Sequence, residues 1–407
     1  MHEPVDAVTP MPSGGIARDL PPSHYLDNRI YTDPSVFARE RERIFAATWK
    51  FVCHESEVAA SGDYRLVAVA GRELIVLRGA DGGLRCFVNA CAHRGARLLR
   101  RPAGRLADDA ITCFYHLWSY DSHGRCTAIP EAGGYAAAGI AAADVALQPV
   151  RLEALFGLVF VSLYREAEPL AEFLGPEIVG ELRGPLGTAP LEVFHLHRAE
   201  LAANWKLFVE TNAEGYHELL HLLNRTTAVG LKEYRKRRWH LHRNGHLVFE
   251  RAVIGYERLR LGRRDENLLP GMAADGHLVV DLFPDVMLNF RSTVLRIDSL
   301  TPIAPGRTLL ECRGLGLHGD GDHVRRRRIA QHNQVWGPMG RNLPEDIWAV
   351  ESQWRNMAAG ASARSVIARE EDLGSMDDAT LRAFYDQWQR RTGLAAHDAD
   401  AGAAHGD

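Results

Sequence analysis

Hydrophobic positions change their spacing along this chain, and each change predicts a different element. Val36, Phe37, Ile44 and Phe45 recur at helical intervals, which gathers them on one face of a helix. Asp33 or Thr32 offers a side-chain oxygen to cap that helix. Pro34 suits its first turn, where no backbone N–H is needed. The spacing predicts a helix running to about Ala47. From Trp49 the pattern shortens to alternation. Tyr64–Val69, Glu73–Arg78 and Leu84–Val88 read as strands, separated by Gly71 and by the turn Asp81-Gly82-Gly83. Ile111–Cys113 and Leu155–Leu163 continue the series, so residues 50–165 read as a small all-β domain. Residues 166–203 carry mixed signals. Asn204 to about Leu223 reads as a helix. Leu247–Ile254, Leu278–Phe283, Val286–Ser299 and Thr308–Leu317 read as strands. Helical spacing returns over Arg325–Val335, Glu345–Ala358 and Asp377–Arg391. Strands followed by helices, without βαβ alternation, predict an α+β domain with an antiparallel sheet. Residues 1 to about 22 and the tail from Ala395 are rich in small and polar residues and predict loose ends.

With 407 residues, 46% of them apolar, the chain has room for roughly two or three domains with cores of their own. A net charge of −4 argues against nucleic acid or an anionic membrane as the main partner. No basic segment followed by an apolar run opens the sequence. The most apolar stretch, Leu152–Leu163, is too short to span a bilayer. A cytoplasmic protein is expected. The 6 cysteines do not amount to a disulfide framework, so a thiol beside a histidine reads first as a ligand. No glycine-rich phosphate loop follows a strand, so a nucleotide-binding domain is not expected.

Two groups of residues carry chemistry. Cys91-Ala92-His93 and Cys113-Phe114-Tyr115-His116 each supply one thiolate and one imidazole. Two cysteines and two histidines suit a structural zinc, but zinc sites usually pair cysteine with cysteine at such spacings. The alternating order suits a [2Fe–2S] cluster in which one iron takes both thiolates and the other both imidazoles. Cys53, Cys86, Cys126 and Cys312 have no histidine at ligand spacing and read as structural. The second group lies in Asn204–His221, NWKLFVETNAEGYHELLH. His217 and His221 are four apart, which on a helix puts both rings on one face and forms two thirds of a facial metal site. The same residues spell H-E-x-x-H, the zinc-protease signature. A protease needs a third ligand, for which Glu233 and Glu250 are the nearby downstream glutamates, and has no use for the upstream Cys/His pairs. The blandest alternative is a packed helix with two satisfied histidines. His195, His197, His240, His242 and His246 read as surface or strand residues.

The combination C-x-H-R-G with C-x-Y-H-x-W-x-Y, which includes Arg94-Gly95, Trp118 and Tyr120 and continues to Asp121 and Gly124, resembles the large (α) subunit of Rieske non-haem iron ring-hydroxylating oxygenases. The likeness runs from about His24 to the helix near Ala358. Phe114 stands where proline is frequent in that family, and Leu117 where glycine is frequent. The resemblance implies an N-terminal segment and helix over 1–48 packing on the catalytic part, a Rieske domain over 49–165 and a catalytic domain of helix-grip type over 166–407. It implies a [2Fe–2S] cluster on Cys91, His93, Cys113 and His116, and a mononuclear Fe(II) on His217, His221 and a late aspartate. In P-E-D-I-W that aspartate is Asp346, with Glu345, Asp285 and Glu351 as next candidates. Glu214 takes the place of the acidic residue that links an iron histidine to a cluster histidine, here His116, of the neighbouring subunit. Electrons would come from NAD(P)H through a separate flavin reductase, with or without a ferredoxin, to a homotrimer or α3β3 assembly. The substrate expected is an aromatic carboxylic acid of the benzoate, salicylate or anthranilate type. The alternative is a monooxygenase acting on a quaternary amine, for which Glu214 in place of aspartate is the argument. The remote alternative is an HExxH zinc metallopeptidase. An arginine lining the pocket would favour the acid, and an aromatic cage the amine. The basic runs Arg235–Arg238 and Arg325–Arg328 read as a solvated face, or as a docking patch for an acidic ferredoxin-like donor.

Overall fold

The Asp33 carboxylate accepts the Ser35 N–H at 2.7 Å, and Pro34 fills the first helical position. The helix they start, Pro34–Glu40, passes into a π-turn over Arg41–Phe45, so it ends short of Ala47. The computed structural model describes residues 19–222, 231–254 and 267–398. The loose ends predicted for residues 1–18 and 399–407 lie outside the described residues. The tail is not frayed from Ala395 as expected: Ala396 is buried and its carbonyl accepts the Asp27 N–H at 2.9 Å.

The alternating segments form antiparallel strands. Asp63–Val69, Arg72–Arg78 and Leu84–Val88 pair in succession, and Ala103–Arg105 adds to the first. Ala110–Thr112, Ser119–Asp121 and Cys126–Ala128 make a second sheet. The run predicted as one strand from Leu155 to Leu163 is instead part of a hairpin, in which Arg151–Leu155 turns at Phe156-Gly157 into Leu158–Ser162. Gly157 has φ +81°, and a Cβ there would lie 2.4 Å from His54 Nε2, so the turn requires glycine.

The C-terminal part is built on one seven-stranded antiparallel sheet. Its spatial order is Leu191–Leu201, Arg307–Leu317, Val294–Ala304, Val286–Arg291, Gly276–Leu282, Leu247–Val253, Trp239–Leu241. The predicted strand 286–299 is a hairpin that turns at Ser292-Thr293. The edge strand Leu191–Leu201 lies where the sequence signals are mixed, because its positions are nearly all half-buried and give no contrast.

Cross-strand pairing fixes which side chains share a face. Leu288, Phe290, Leu295, Ile297 and Leu315 point one way and pack with Phe51, Phe160 and Leu182. The other face is polar. His195 pairs with Gly314 and Gly314 with Arg296, while His197, Cys312, Asp298, Met287 and Asp281 form the next row. A Cβ on Gly314 would meet His332 at 3.2 Å, so this face looks at the helix Asp322–Trp336. The helix Trp205–Ala213 packs on the strand Val294–Ala304, and Leu343–Ala358 packs on that helix.

Asn204-Trp205-Lys206, at the start of the stretch that carries His217 and His221, is an anchor. Asn204 caps its helix by accepting the Lys206 N–H at 3.1 Å and donates to Tyr31 O and Pro305 O. Buried Glu40 accepts the indole N–H groups of Trp205 and Trp388 at 2.9 and 2.7 Å and pairs with Lys206. The molecule is thus α+β, an all-β N-terminal part joined to a sheet-and-helix C-terminal part. Among the described residues no helix is long and apolar enough to cross a membrane.

Candidate functional site

Two turns at one end of the β part carry the Cys/His pairs. Each closes with the same hydrogen bond: Gly95 N–H to Cys91 O at 2.8 Å, and Leu117 N–H to Cys113 O at 3.0 Å. Each also ends on a left-handed residue, Gly95 at φ +71° and Leu117 at φ +59°. The two loops are therefore near copies, with leucine holding a conformation that glycine adopts more easily. Both thiols point inward: Cys91 and Cys113 are buried in one apolar cluster with Trp118 and Tyr120. The Tyr120 hydroxyl accepts the Ala92 N–H at 3.2 Å and donates to Cys91 Sγ at 3.1 Å. Both imidazoles point outward. His93 and His116 lie 4.7 Å apart between ring centroids, and His93 stacks on Trp118 at 4.6 Å. Unoxidised thiols inside and imidazoles at the rim fit a cluster whose two irons take different ligand pairs.

The second centre forms where the predicted helix Asn204–Leu223 fails to be continuous. The helix stops at Ala213, Glu214 is extended at φ −145° and ψ 157°, and a 3-10 turn Tyr216–Leu219 follows. His217 and His221 are thus not two positions on one α-helix. Their rings still meet, 5.5 Å apart and nearly perpendicular. Leu343–Ala358 brings Asp346 against them: its Oδ1 lies 3.8 Å from His217 Nε2 and 3.6 Å from His221 Nε2. Each histidine gives its other nitrogen to a carboxylate. His217 Nδ1 donates to Glu214 at 2.7 Å, and His221 Nδ1 donates to Glu345 at 2.9 Å. Carboxylates behind both rings fix the tautomer that turns Nε2 inward. Asp346 Oδ1 is buried with no hydrogen-bond partner among the described residues.

The charges agree with a cation site. Burial opposes a charged His217, but Glu214, with Asp346 and Glu218, outweighs it and lifts the ring to about 10. Burial likewise raises the Asp346 carboxyl, to about 6, against the pull of His217 and His221. Burial would raise Glu214 too, but His217 and the backbone N–H groups of His217 and Tyr216 hold it below the usual range. A metal ion bound between these groups competes with the protons. Two Nε2 atoms and one orphaned carboxylate oxygen fit a divalent iron in a two-histidine, one-carboxylate set.

Other expected residues go elsewhere. Asp285 pairs with Lys50 at 2.5 Å, away from the histidines, and Glu351 accepts the Ala202 N–H. Glu345, a candidate ligand, instead orients His221 and also accepts the Leu222 N–H. Glu218, the would-be base of H-E-x-x-H, interacts with the Tyr234 hydroxyl. The basic runs are not wholly solvated. Arg237 is buried over the Phe249 ring at 3.6 Å, and Arg328 is buried against Asp320 at 2.6 Å. His246 is buried and structural, accepting the Phe283 N–H. His195 and His197, read from the sequence as surface or strand residues, do lie on the strand Leu191–Leu201, and with His332 they form a second group whose ring nitrogens lie within 4.8 Å of one another.

The sequence matches the Rieske [2Fe-2S] domain family over residues 48–143 and the ring hydroxylating alpha subunit (catalytic domain) family over 189–393. It is 42% identical to the alpha subunit of 2-aminobenzenesulfonate 2,3-dioxygenase from Alcaligenes sp, over 90% of this chain and 93% of that one. It is 35% identical to the hydroxylase alpha subunit of methanesulfonate monooxygenase from Methylosulfonomonas methylovora, over 91% of each. In three dimensions it resembles a quaternary ammonium Rieske monooxygenase, with a TM-score of 0.77 at 23% identity, covering 92% of this chain and 99% of that chain.

Proposed function

The chain belongs to the Rieske ring-hydroxylating oxygenase α subunits, and from that premise we propose that it hydroxylates an aromatic acid whose acid group is a sulfonate, at an iron held by His217, His221 and Asp346. Bound there, iron supplies the site where O2 is reduced, and a [2Fe–2S] cluster on Cys91, His93, Cys113 and His116 supplies the electrons. Glu214 and Glu345 hold the two imidazoles in the ligating tautomer. NAD(P)H would feed the cluster through a separate reductase or ferredoxin. The working unit would be a trimer, alone or with a β subunit.

One observation carries the substrate class. Arg296 lies on the polar inner face of the sheet, its guanidinium 3.2 Å over the Trp336 ring. It is near enough to Asp346 to favour that carboxylate's charged form. A buried arginine that acts on an iron ligand, with Nη2 paired to Asp298 but Nε and Nη1 unpartnered among the described residues, offers donors that suit an acid better than a quaternary ammonium. The two relatives above share a sulfonate, which moves the expected acid from carboxylate to sulfonate. The likeness to the quaternary ammonium enzyme, at 23% identity, speaks to the fold alone.

The test is iron- and sulfide-replete protein with a surrogate reductase, assayed for NADH and O2 consumption and for product. An arylsulfonate should give coupled consumption and a hydroxylated product, and a quaternary amine neither. Coupled turnover of the amine alone would overturn this reading.

A further inference from the structure

Resting on the acid-substrate reading, we propose that His195, His197 and Arg296 on the sheet, with His332 and Trp336 on the helix above them, form the subsite for the substrate's tetrahedral acid head. Cross-strand rows put His195 level with Arg296, and His197 level with Asp298, on the inner face. His332 comes down from Asp322–Trp336 to complete a triangle, with ring centroids 5.6 Å from His195 and 6.0 Å from His197.

These groups have unused hydrogen-bonding capacity. His332 is 1% exposed, yet neither ring nitrogen has a hydrogen-bond partner among the described residues. The same holds for both nitrogens of His197, Nε2 of His195, Nε1 of Trp336, and Nε and Nη1 of Arg296, and the row that carries His197 also holds the buried carboxylates of Asp298 and Asp281, whose oxygens accept no hydrogen bond among the described residues. A buried donor or acceptor left unpaired is destabilising, so a cluster of them on one wall is a strong sign of a polar ligand. A neutral imidazole, an indole N–H and a guanidinium can all donate, which is what an oxyanion needs.

A metal ion is the rival occupant of three convergent histidines. The donors on this wall favour an anion instead. Arg296 stands in the same cross-strand row as His195, and at His332 burial first, then the Arg296 charge, pushes the ring down to about 3. At His197, after burial, the Asp298 carboxylate acts the other way, ahead of Arg296. The nearest carboxylate, Asp298, is already paired with Arg296 Nη2 at 2.6 Å. That pairing also bears on which anion fits. Both two-nitrogen forks of a guanidinium include Nη2, so a planar carboxylate would have to share either fork with Asp298. A sulfonate presents three oxygens in different directions and can meet donors on the sheet and the helix together.

The test is anaerobic calorimetry on the iron-loaded oxygenase with benzenesulfonate and with benzoate as probes. The wild type should prefer the sulfonate by roughly tenfold or more. Arg296→Met and His332→Leu should each weaken benzenesulfonate binding by roughly thirtyfold or more and erase the preference, while iron content and the Rieske visible spectrum stay unchanged. Arg296→Lys should recover part of the loss. Should either truncation disturb the fold, His197→Gln keeps a donor of similar reach and should weaken the sulfonate selectively. Wild-type affinity in the variants, with arylsulfonate turnover intact, would sink the subsite and leave the proposed function standing. A zinc ion bound beyond the iron complement and lost in His197→Ala would identify a metal site instead. Failure of the wild type to bind either anion would overturn both readings.

Discussion

Glu345 and Asp346 are neighbours in the chain with the same charge, and the fold gives them different work. Adjacent positions on a helix point about 100° apart, so only one of them can face the histidines from inside. Asp346 Oδ1 lies between the two Nε2 atoms, while Glu345 reaches round to His221 Nδ1. Asp346→Ala is expected to lower iron from roughly three to two per chain, keep the Rieske absorbance and abolish turnover. Full iron and normal activity would show that another carboxylate serves. Glu345→Ala is expected to weaken iron binding by roughly 10- to 100-fold, and Glu345→Gln, which keeps an acceptor for His221, by much less. Equal losses in the two would argue against an orienting role. Asp346 was legible only through the family likeness; the run E-D does not say which acid points inward. Arg296 and Asp298 left a clearer trace that the sequence reading did not use. Two charges two residues apart in the otherwise apolar V-L-R-I-D-S-L mark one face of a strand that holds something polar.

At the scale of elements, the break between Ala213 and Tyr216 matters most, and it explains why the sequence was only partly readable. Helical spacing continues through Asn204–Leu223, and the histidine spacing of four agrees with it. The chain departs from that pattern because Gly215 docks on the segment before Ala379–Thr392, donating its N–H to Ser375 O at 2.9 Å. This tertiary contact has no local signature except the glycine. A Cβ on Gly215 would lie 2.5 Å from the Ser375 carbonyl oxygen, a backbone atom that cannot rotate away. Gly215→Ala should therefore push the His217 turn off its seat, at a cost of roughly 1–3 kcal/mol. Iron content should fall and the melting temperature drop by a few degrees, with the Rieske spectrum preserved because its loops lie elsewhere. Full iron with an unchanged melting temperature would show the turn to be adaptable. The β part was easier to read, since Leu84–Val88 has alternation and a glycine turn of its own. The edge strand Leu191–Leu201 was not, because both its faces are only half covered.

At the scale of the molecule, two exposed apolar patches sit beside the two centres. Phe114, Tyr115 and Leu117 stand out from the cluster loop, each more than half exposed, and Tyr216, Leu219 and Leu222 from the iron turn. Exposed apolar patches of this kind mark contacts with other surfaces. Arg94 and Arg100 lie over the Tyr115 and Phe114 rings, which adds positive charge to the first patch. The iron turn carries Glu214 and Glu218, with Arg369 over the Tyr216 ring at 4.0 Å. Two unlike apolar patches suit a head-to-tail contact, and such a contact closes into a ring when the rotation allows. In that arrangement the cluster loop of one protomer would meet the iron turn of the next. Glu214 would lie at the join, although both its oxygens already accept hydrogen bonds from its own chain and only their remaining lone pairs are open to a partner. Phe114→Asp combined with Leu117→Asp is expected to convert a trimer to monomers in light scattering. Cluster reduction by dithionite and the Rieske spectrum should remain, because neither side chain is a ligand. Single-turnover product formation should fall steeply, because in that arrangement each cluster would lose the iron of the next protomer. A monomer that still turns over at the wild-type rate would mean that electrons pass within one chain, and the ring would then have no part in catalysis.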